Sequence, residues 1–154
     1  MAISVAIPGR DLLVLERLVL DLNGTLTNRG ELIDGVAERL ERLSKEVEIE
    51  LMSADTFGVL DDVADALGAH ARVVATGEDK ARFVWELGAD RCAAIGNGAN
   101  DAAMLDVAGL GIAVVGPEGA AGSTVTSADV VCGSILDALD LLLDERALVA
   151  TLRL

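Results

Sequence analysis

Short aliphatic runs alternate along this chain with stretches in which apolar residues recur every three or four positions. The runs "RLVLDL" (17–22), "VEIELM" (47–52), "ARVVAT" (71–76), "RCAAIG" (91–96), "GIAVVG" (111–116) and "ADVVC" (128–132) read as strands, most of them too apolar to leave a face in water. Between them lie helical patterns. One starts at Val36 and carries Val36, Leu40 and Leu43 at helical spacing with charges between them. Others cover 55–68, ended by Gly68, then 78–88, ended by Gly88, and 100–109. Leu136 to Leu143 begins a C-terminal helical region. The opening segment reads as two short strands around a turn at Pro8-Gly9-Arg10, a hairpin at a sheet edge.

Strands alternating with helices of this length predict an α/β fold, a parallel sheet with helices on both faces. The linkers are short and no repeat or low-complexity tract interrupts them, so residues 1–154 are expected to form a single domain. In such sheets ligands bind beyond the carboxyl ends of the strands, near the point where strand order reverses. That rule selects Asp21, Ser53, the region of Lys80, and Asn97 to Asp101.

Each of these has a chemical reading and a bland one. Asp21 ends a Leu-Val-Leu strand and precedes Leu22-Asn23-Gly24-Thr25. A carboxylate ringed by backbone N–H groups there can attack phosphorus, with the Thr25 hydroxyl on the phosphoryl oxygens; an aspartate that starts a turn is the alternative. Ser53 and the amide of Ala54 can hold a phosphate oxygen, or Ser53 or Asp55 can cap the next helix. Lys80, in the first turn of a helix, opposes the dipole there. It is either a solvated lysine beside Glu78 and Asp79 or the partner of an anion such as a phosphorylated Asp21. Asn97, Asn100 and Asp101 lie in a glycine-rich turn opening a helix, and Asp101 with nearby carbonyls offers hard oxygen ligands for Mg²⁺.

Composition narrows the function. An apolar fraction of 52% with two Phe, one Trp and no Tyr requires an aliphatic core. A net charge of −14 argues against nucleic acid and anionic membranes as partners, and suits a protein that receives an anionic substrate through a metal. The longest apolar stretch, Val107 to Gly116, is too short to span a bilayer, and no secretory signal is evident. Cys92 and Cys132 sit in apolar contexts and read as reduced core residues, which with the rest suggests a cytoplasmic protein.

The order of motifs resembles the haloacid dehalogenase (HAD) superfamily. "DLNGTLT" (21–27) matches its nucleophile loop, "LMSADT" around Ser53 and then Lys80 its phosphate-binding positions, and "IGNGANDAAML" (95–105) its magnesium loop. Within the superfamily the likeness is closest to soluble P-type-ATPase-like phosphatases, whose signatures DKTGTLT and GDGxNDAPAL the first and last stretches follow. The resemblance implies a Rossmann-like fold, a magnesium ion held near Asp21, Asn23, Asn97 and Asp101, and an aspartyl phosphate on Asp21. It also implies hydrolysis of small phosphoesters. Two departures bear on rate. Asn23 stands where HAD phosphatases carry the aspartate that works as general acid and base, and an amide cannot exchange that proton. Asn97 stands where they carry a metal-binding aspartate, so magnesium should bind more weakly. A slow phosphohydrolase is expected, with a catalytically attenuated phosphate-binding or regulatory protein as the alternative. Both asparagines precede glycine, so deamidation could supply aspartate after synthesis.

Only "NRGELIDG" separates the nucleophile loop from the next helix, too little chain for a cap domain. Capless relatives close their sites by oligomerising or act on large substrates; the first implies a homo-oligomer, with the N-terminal hairpin as a candidate contact. A two-component receiver domain fits poorly, because its acidic pair and its phosphorylated aspartate fall on different strands. A dinucleotide site at "GNG" also fits poorly, since no ribose-binding acid follows at the usual spacing. His70, Trp85 and the Asp61-Asp62 pair read as structural or solvated.

Overall fold

The structure, a computed structural model, describes residues 1–54 and 59–154. Strands β1 (Ile3–Val5) and β2 (Leu13–Leu15) form the expected antiparallel hairpin, as a two-stranded sheet of its own rather than at the edge of the main sheet, and β3 (Arg17–Asp21) follows at once. The chain then makes one wide helical turn over Leu22–Leu26 and a two-stranded hairpin, β4 (Thr27–Asn28) and β5 (Glu31–Leu32). The remaining order is α1 (Val36–Leu43), β6 (Glu48–Ser53), α2 (Val59–Leu67), β7 (His70–Val73), α3 (Gly77–Leu87), β8 (Cys92–Gly96), a 3₁₀ turn Ala99–Asp101, α4 (Ala102–Val107), β9 (Leu110–Val114), α5 (Gly122–Ser127), β10 (Val130–Cys132), α6 (Ile135–Leu143) and α7 (Glu145–Leu152).

Six strands form one parallel sheet in the order β10-β9-β8-β3-β6-β7. From β3 the chain builds outward through β6 and β7, then returns to the other side of β3 through β8, β9 and β10. Strand order therefore reverses between β3 and β8, and Asp21 ends the first while Asn97 follows the second. Residues of alternate parity supply two cores. Leu18, Leu20, Ile49, Leu51, Ile95 and Ile112 face a layer containing Val36, Leu40 and Leu43 of α1, Leu60 of α2 and Leu139 and Leu142 of α6. Val19, Met52, Ala94 and Ala113 face Phe83 and Val84 of α3 and Met104 and Leu105 of α4. Helices thus cover both faces, giving the three-layer Rossmann-like architecture expected from the alternation of patterns.

Several boundaries differ from the sequence reading. The predicted strand 71–76 ends at Val73, because Thr76 instead caps α3 by accepting a hydrogen bond from the Asp79 amide at 3.1 Å. The helix predicted over 55–68 is described from Val59, and its start at Asp55, with the capping role considered for Asp55, lies outside the described residues. The helix predicted over 100–109 opens as the 3₁₀ turn and ends at Val107. The C-terminal region is two helices, since the Asp144 carboxylate caps a new one at the Arg146 and Ala147 amides. Helix α5 and the β4–β5 hairpin have no apolar periodicity to announce them. That small hairpin occupies the place where a cap would be inserted. The turn of the first hairpin packs on the chain's own C-terminus, where Arg10 donates to the Leu152 carbonyl at 2.6 Å.

Candidate active site

A buried lysine organises the carboxyl end of the sheet. Lys80, on the first turn of α3, is 1% exposed. Its Nζ donates to Asp21 Oδ1 at 3.1 Å and to Asp101 Oδ1 at 2.8 Å. The solvated-lysine alternative is therefore excluded. Burial disfavours the charged ammonium, yet the carboxylates of Asp21 and Asp101 more than offset this and hold the lysine pKa above its ordinary value.

The two carboxylates are unequal. Burial, then the nearby charge of Asp101, push the Asp21 carboxyl from 3.8 up to about 6, against the pull of Lys80. Asp101 is fully buried and richly bonded. Its Oδ2 accepts from the amides of Asn97 and Gly98, both at 3.0 Å, while Oδ1 accepts from Lys80. Three donors thus fill most of the roughly four lone-pair positions a carboxylate offers. Gly96 makes the arrangement fit, since a Cβ there would lie 2.4 Å from Asp101 Oδ2.

Around this core the other residues pair off. Thr25, buried, has its hydroxyl 3.1 Å from Asn97 Oδ1, an atom that can only accept, so the hydroxyl hydrogen points at Asn97. The Asn97 amide nitrogen donates to the Gly119 carbonyl at 3.2 Å. That contact sets the amide orientation, because its oxygen could not face another carbonyl oxygen. Asn23 is exposed and donates from Nδ2 to Ser53 Oγ at 2.9 Å. Ser53 is buried at the end of β6, and Ala54 follows it, exposed. Asp21, Lys80, Asp101, Asn97 and Thr25 therefore form one continuous network, and the Asn23–Ser53 pair adjoins it through the Asp21 loop. His70, by contrast, begins β7 at the other end of the sheet.

Sequence reasoning missed the turn after β9. Gly116, Pro117, Glu118 and Gly119 form a tight turn closed by the Gly119 amide on the Gly116 carbonyl at 2.9 Å. The Glu118 carboxylate rests on Gly24, where an added Cβ would come 1.8 Å from Glu118 Oε2. Gly24 adopts φ +74°, and it is this left-handed conformation that calls for glycine, because the exposed Glu118 side chain could move aside. The strand-end rule applied to β9, as it was to β3, β6 and β8, would have pointed to this turn.

Among the described residues, Glu48, Glu50 and His70 bring ligand atoms within 4.8 Å of one another. They start β6 and β7, remote from Asp21, and Arg17 ion-pairs with both carboxylates, at 3.1 Å for Glu50. A guanidinium already answers that charge.

The family model of haloacid dehalogenase-like hydrolases matches residues 71–134, which hold Lys80 and the Asn97–Asp101 turn. The fold matches 3-deoxy-D-manno-octulosonate 8-phosphate phosphatase from Moraxella catarrhalis, solved with magnesium, phosphate and the KDO sugar. That match has a TM-score of 0.68 at 20% identity and covers 90% of this chain and 94% of that one. Residues 71–134 are thus similar to haloacid dehalogenase-like hydrolases, and the fold resembles that of a putative HAD family hydrolase from Streptomyces avermitilis, with a TM-score of 0.69 at 19% identity over 83% of this chain and 84% of that one. The catalytic domain of the CPx-ATPase CopB-B has a TM-score of 0.63 at 23% identity, over 73% of this chain and 46% of that one. At such identities the likeness is one of fold. In sequence, the chain is 57% identical over 60 residues to the uncharacterized protein MJ0073 of Methanocaldococcus jannaschii, covering 39% of this chain and 64% of that relative's length. No helix among the described residues is long and apolar enough to cross a membrane.

Proposed function

We propose that this protein is a magnesium-dependent phosphohydrolase of the HAD superfamily that forms an aspartyl phosphate on Asp21 and acts on small phosphorylated substrates. The observation that carries the reading is the buried Lys80 bridging Asp21 and Asp101. A lysine fixed beside a strand-end carboxylate steadies the nucleophile and then the charge that a phosphoryl group brings to it. In the first step an Asp21 oxygen attacks phosphorus and the bond to the leaving oxygen breaks. In the second, water attacks phosphorus and releases the Asp21 carboxylate. Ser53 with the Ala54 amide borders the phosphoryl position from the β6 side, and Thr25 acts by holding Asn97.

The donor set fits a magnesium ion. Two acidic side chains share one lysine, and the charge of Asp101 adds to burial, the larger cause, in raising the Asp21 pKa. Asp21, the Asn23 carbonyl and Asn97 Oδ1 are hard oxygen donors of the kind magnesium prefers, with Asp101 contributing charge from behind. A bound magnesium would shield the substrate's phosphoryl charge and polarise its oxygens. Asn23 cannot trade a proton, so both steps lack general acid–base help at that position and turnover is slow. Cys92 and Cys132 are unpaired thiols, which supports a cytoplasmic setting. The whole chain is taken as one phosphotransfer domain, and an open site without a cap favours a homo-oligomer.

The test is a phosphate-ester panel with magnesium on the parent and on Asp21→Asn. Magnesium-dependent release of phosphate that disappears in Asp21→Asn is expected. A parent that binds phosphate and never turns over would instead leave the attenuated, regulatory reading, which the two asparagines favour.

A further inference from the structure

The Gly116–Gly119 turn is fastened to the active site at several points. The Asn97 side chain donates to the Gly119 carbonyl at 3.2 Å, and the Ala121 amide donates to the Asn97 carbonyl at 2.8 Å. Thr124 adds a hydroxyl bond to the Gly98 carbonyl. On the opposite side Gly116 approaches the Gly24 carbonyl, 3.7 Å from the position of its would-be Cβ. Bonds to the turn and to the residues just after it hold the backbone of its tip residue in place. That residue is Glu118, whose carboxylate lies on Gly24 beside the Asn97 amide.

Glu118 is exposed, and among the described residues no lysine or arginine forms an ion pair with it. Deeper in the site Lys80 lies between Asp21 and Asp101 and donates to both. The mouth of the site therefore carries a negative charge that, among the described residues, no lysine or arginine neutralises by an ion pair. We infer that Glu118 determines substrate specificity by excluding phosphoesters whose leaving group bears a carboxylate, and that the site takes phosphoesters of neutral or cationic alcohols. This rests on the assignment of Asp21 as the phosphoryl acceptor. It sets the protein apart from enzymes for phosphorylated sugar acids, of which its Moraxella structural neighbour is one by name.

The discrimination should be modest and screenable. Repulsion between unit charges several ångströms apart at a protein surface corresponds to about a tenfold change in affinity, and salt reduces it. The experiment compares glucose 6-phosphate with 6-phosphogluconate, with magnesium present, on the parent, Glu118→Gln and Glu118→Lys. The quantity read is the ratio of kcat/KM for the neutral over the acidic ester. The same ratio is measured as Kd by calorimetry on full-length Asp21→Asn protein with and without each Glu118 change. Expected is a parent ratio favouring the neutral ester, falling about tenfold in Glu118→Gln, chiefly through KM, and further in Glu118→Lys. Raising salt should narrow the parent ratio and leave that of Glu118→Gln nearly flat. An unchanged ratio in both variants overturns the inference, as does an equal loss on both esters, which would make Glu118 a proton-transfer group instead. A parent without turnover that still discriminates in Kd sinks the phosphatase reading and keeps this one, whereas binding of neither ester sinks both.

Discussion

Asn97 donates an amide hydrogen to the carbonyl oxygen of Gly119, 3.2 Å away. The contact favours an amide at this position, since an aspartate would aim a carboxylate oxygen at a carbonyl oxygen. Asn97→Asp should therefore destabilise the fold, by about 1–3 kcal/mol. Thermal melts should show the loss, and magnesium should restore part of it by answering the added charge. A variant as stable as the parent without metal would show that this bond does not govern the position.

Asn23 behaves differently. It is exposed, and its partner Ser53 carries a hydroxyl that can donate as well as accept. Asn23→Asp should fold normally and hydrolyse phosphoesters faster, by up to roughly 10²–10⁴-fold if proton transfer limits the rate. Steady-state kinetics on one good ester decide it; no gain would mean another step is limiting.

Removing the shared cation should be costly. Lys80→Met would leave Asp21 and Asp101 buried together without their lysine, a change of about 3–5 kcal/mol. The loss should shrink as pH falls, because protonation then relieves the repulsion between the carboxyls. Denaturant titrations at several pH values would check both the size and the trend, and a pH-independent loss would contradict it.

The Asp21 carboxyl gives a pH signature of its own. Its pKa is raised from 3.8 to about 6 by burial and by Asp101, so the folded chain holds the proton more tightly than the unfolded chain. The resulting stabilisation is complete below pH 3.8, declines as pH rises, and is lost above about 6. The stability of Asp21→Asn relative to the parent should accordingly grow across that window and then level off. On the proposed role of Asp21 as phosphoryl acceptor, activity should rise through about pH 6 as the carboxyl ionises, with magnesium moving that midpoint lower. A flat difference in melting temperature would remove the basis for this.

Deamidation should separate the two Asn-Gly pairs. Cyclisation requires the following amide nitrogen to reach the asparagine side chain, and the Gly98 amide is held on Asp101 Oδ2 at 3.0 Å. Asn97 is further restrained by Thr25 and Gly119. Peptide mass spectrometry of aged protein should find conversion at Asn23 before Asn97. Activity that tracks unmodified asparagine at both positions would rule out deamidation as its source.

Much of the fold was legible because most elements announce themselves within a few residues. Val36, Leu40 and Leu43 line one helix face, and all three are fully buried as their spacing predicted. Helix α5, with sequence GSTVTS, shows no such periodicity and forms where Thr124 anchors it to the Gly98 carbonyl, a partner 26 residues away. The site was legible in part for a similar reason. Asp21, Ser53 and Asn97 lie at the carboxyl ends of strands whose apolar runs are plain in the sequence, and the strand-end rule then locates them.

The amino-acid sequence by itself determined the alternation of strands and helices, the strand-end positions of the polar residues and the resemblance of the two glycine-bearing motifs, because those are properties of neighbours in the chain. Only the tertiary structure decided that Lys80 is a buried bridge rather than a solvated lysine, that Thr25 serves Asn97, and that Glu118 reaches Gly24. Those contacts join residues from 21 to 94 positions apart, and their bonding depends on burial and approach that no local pattern encodes.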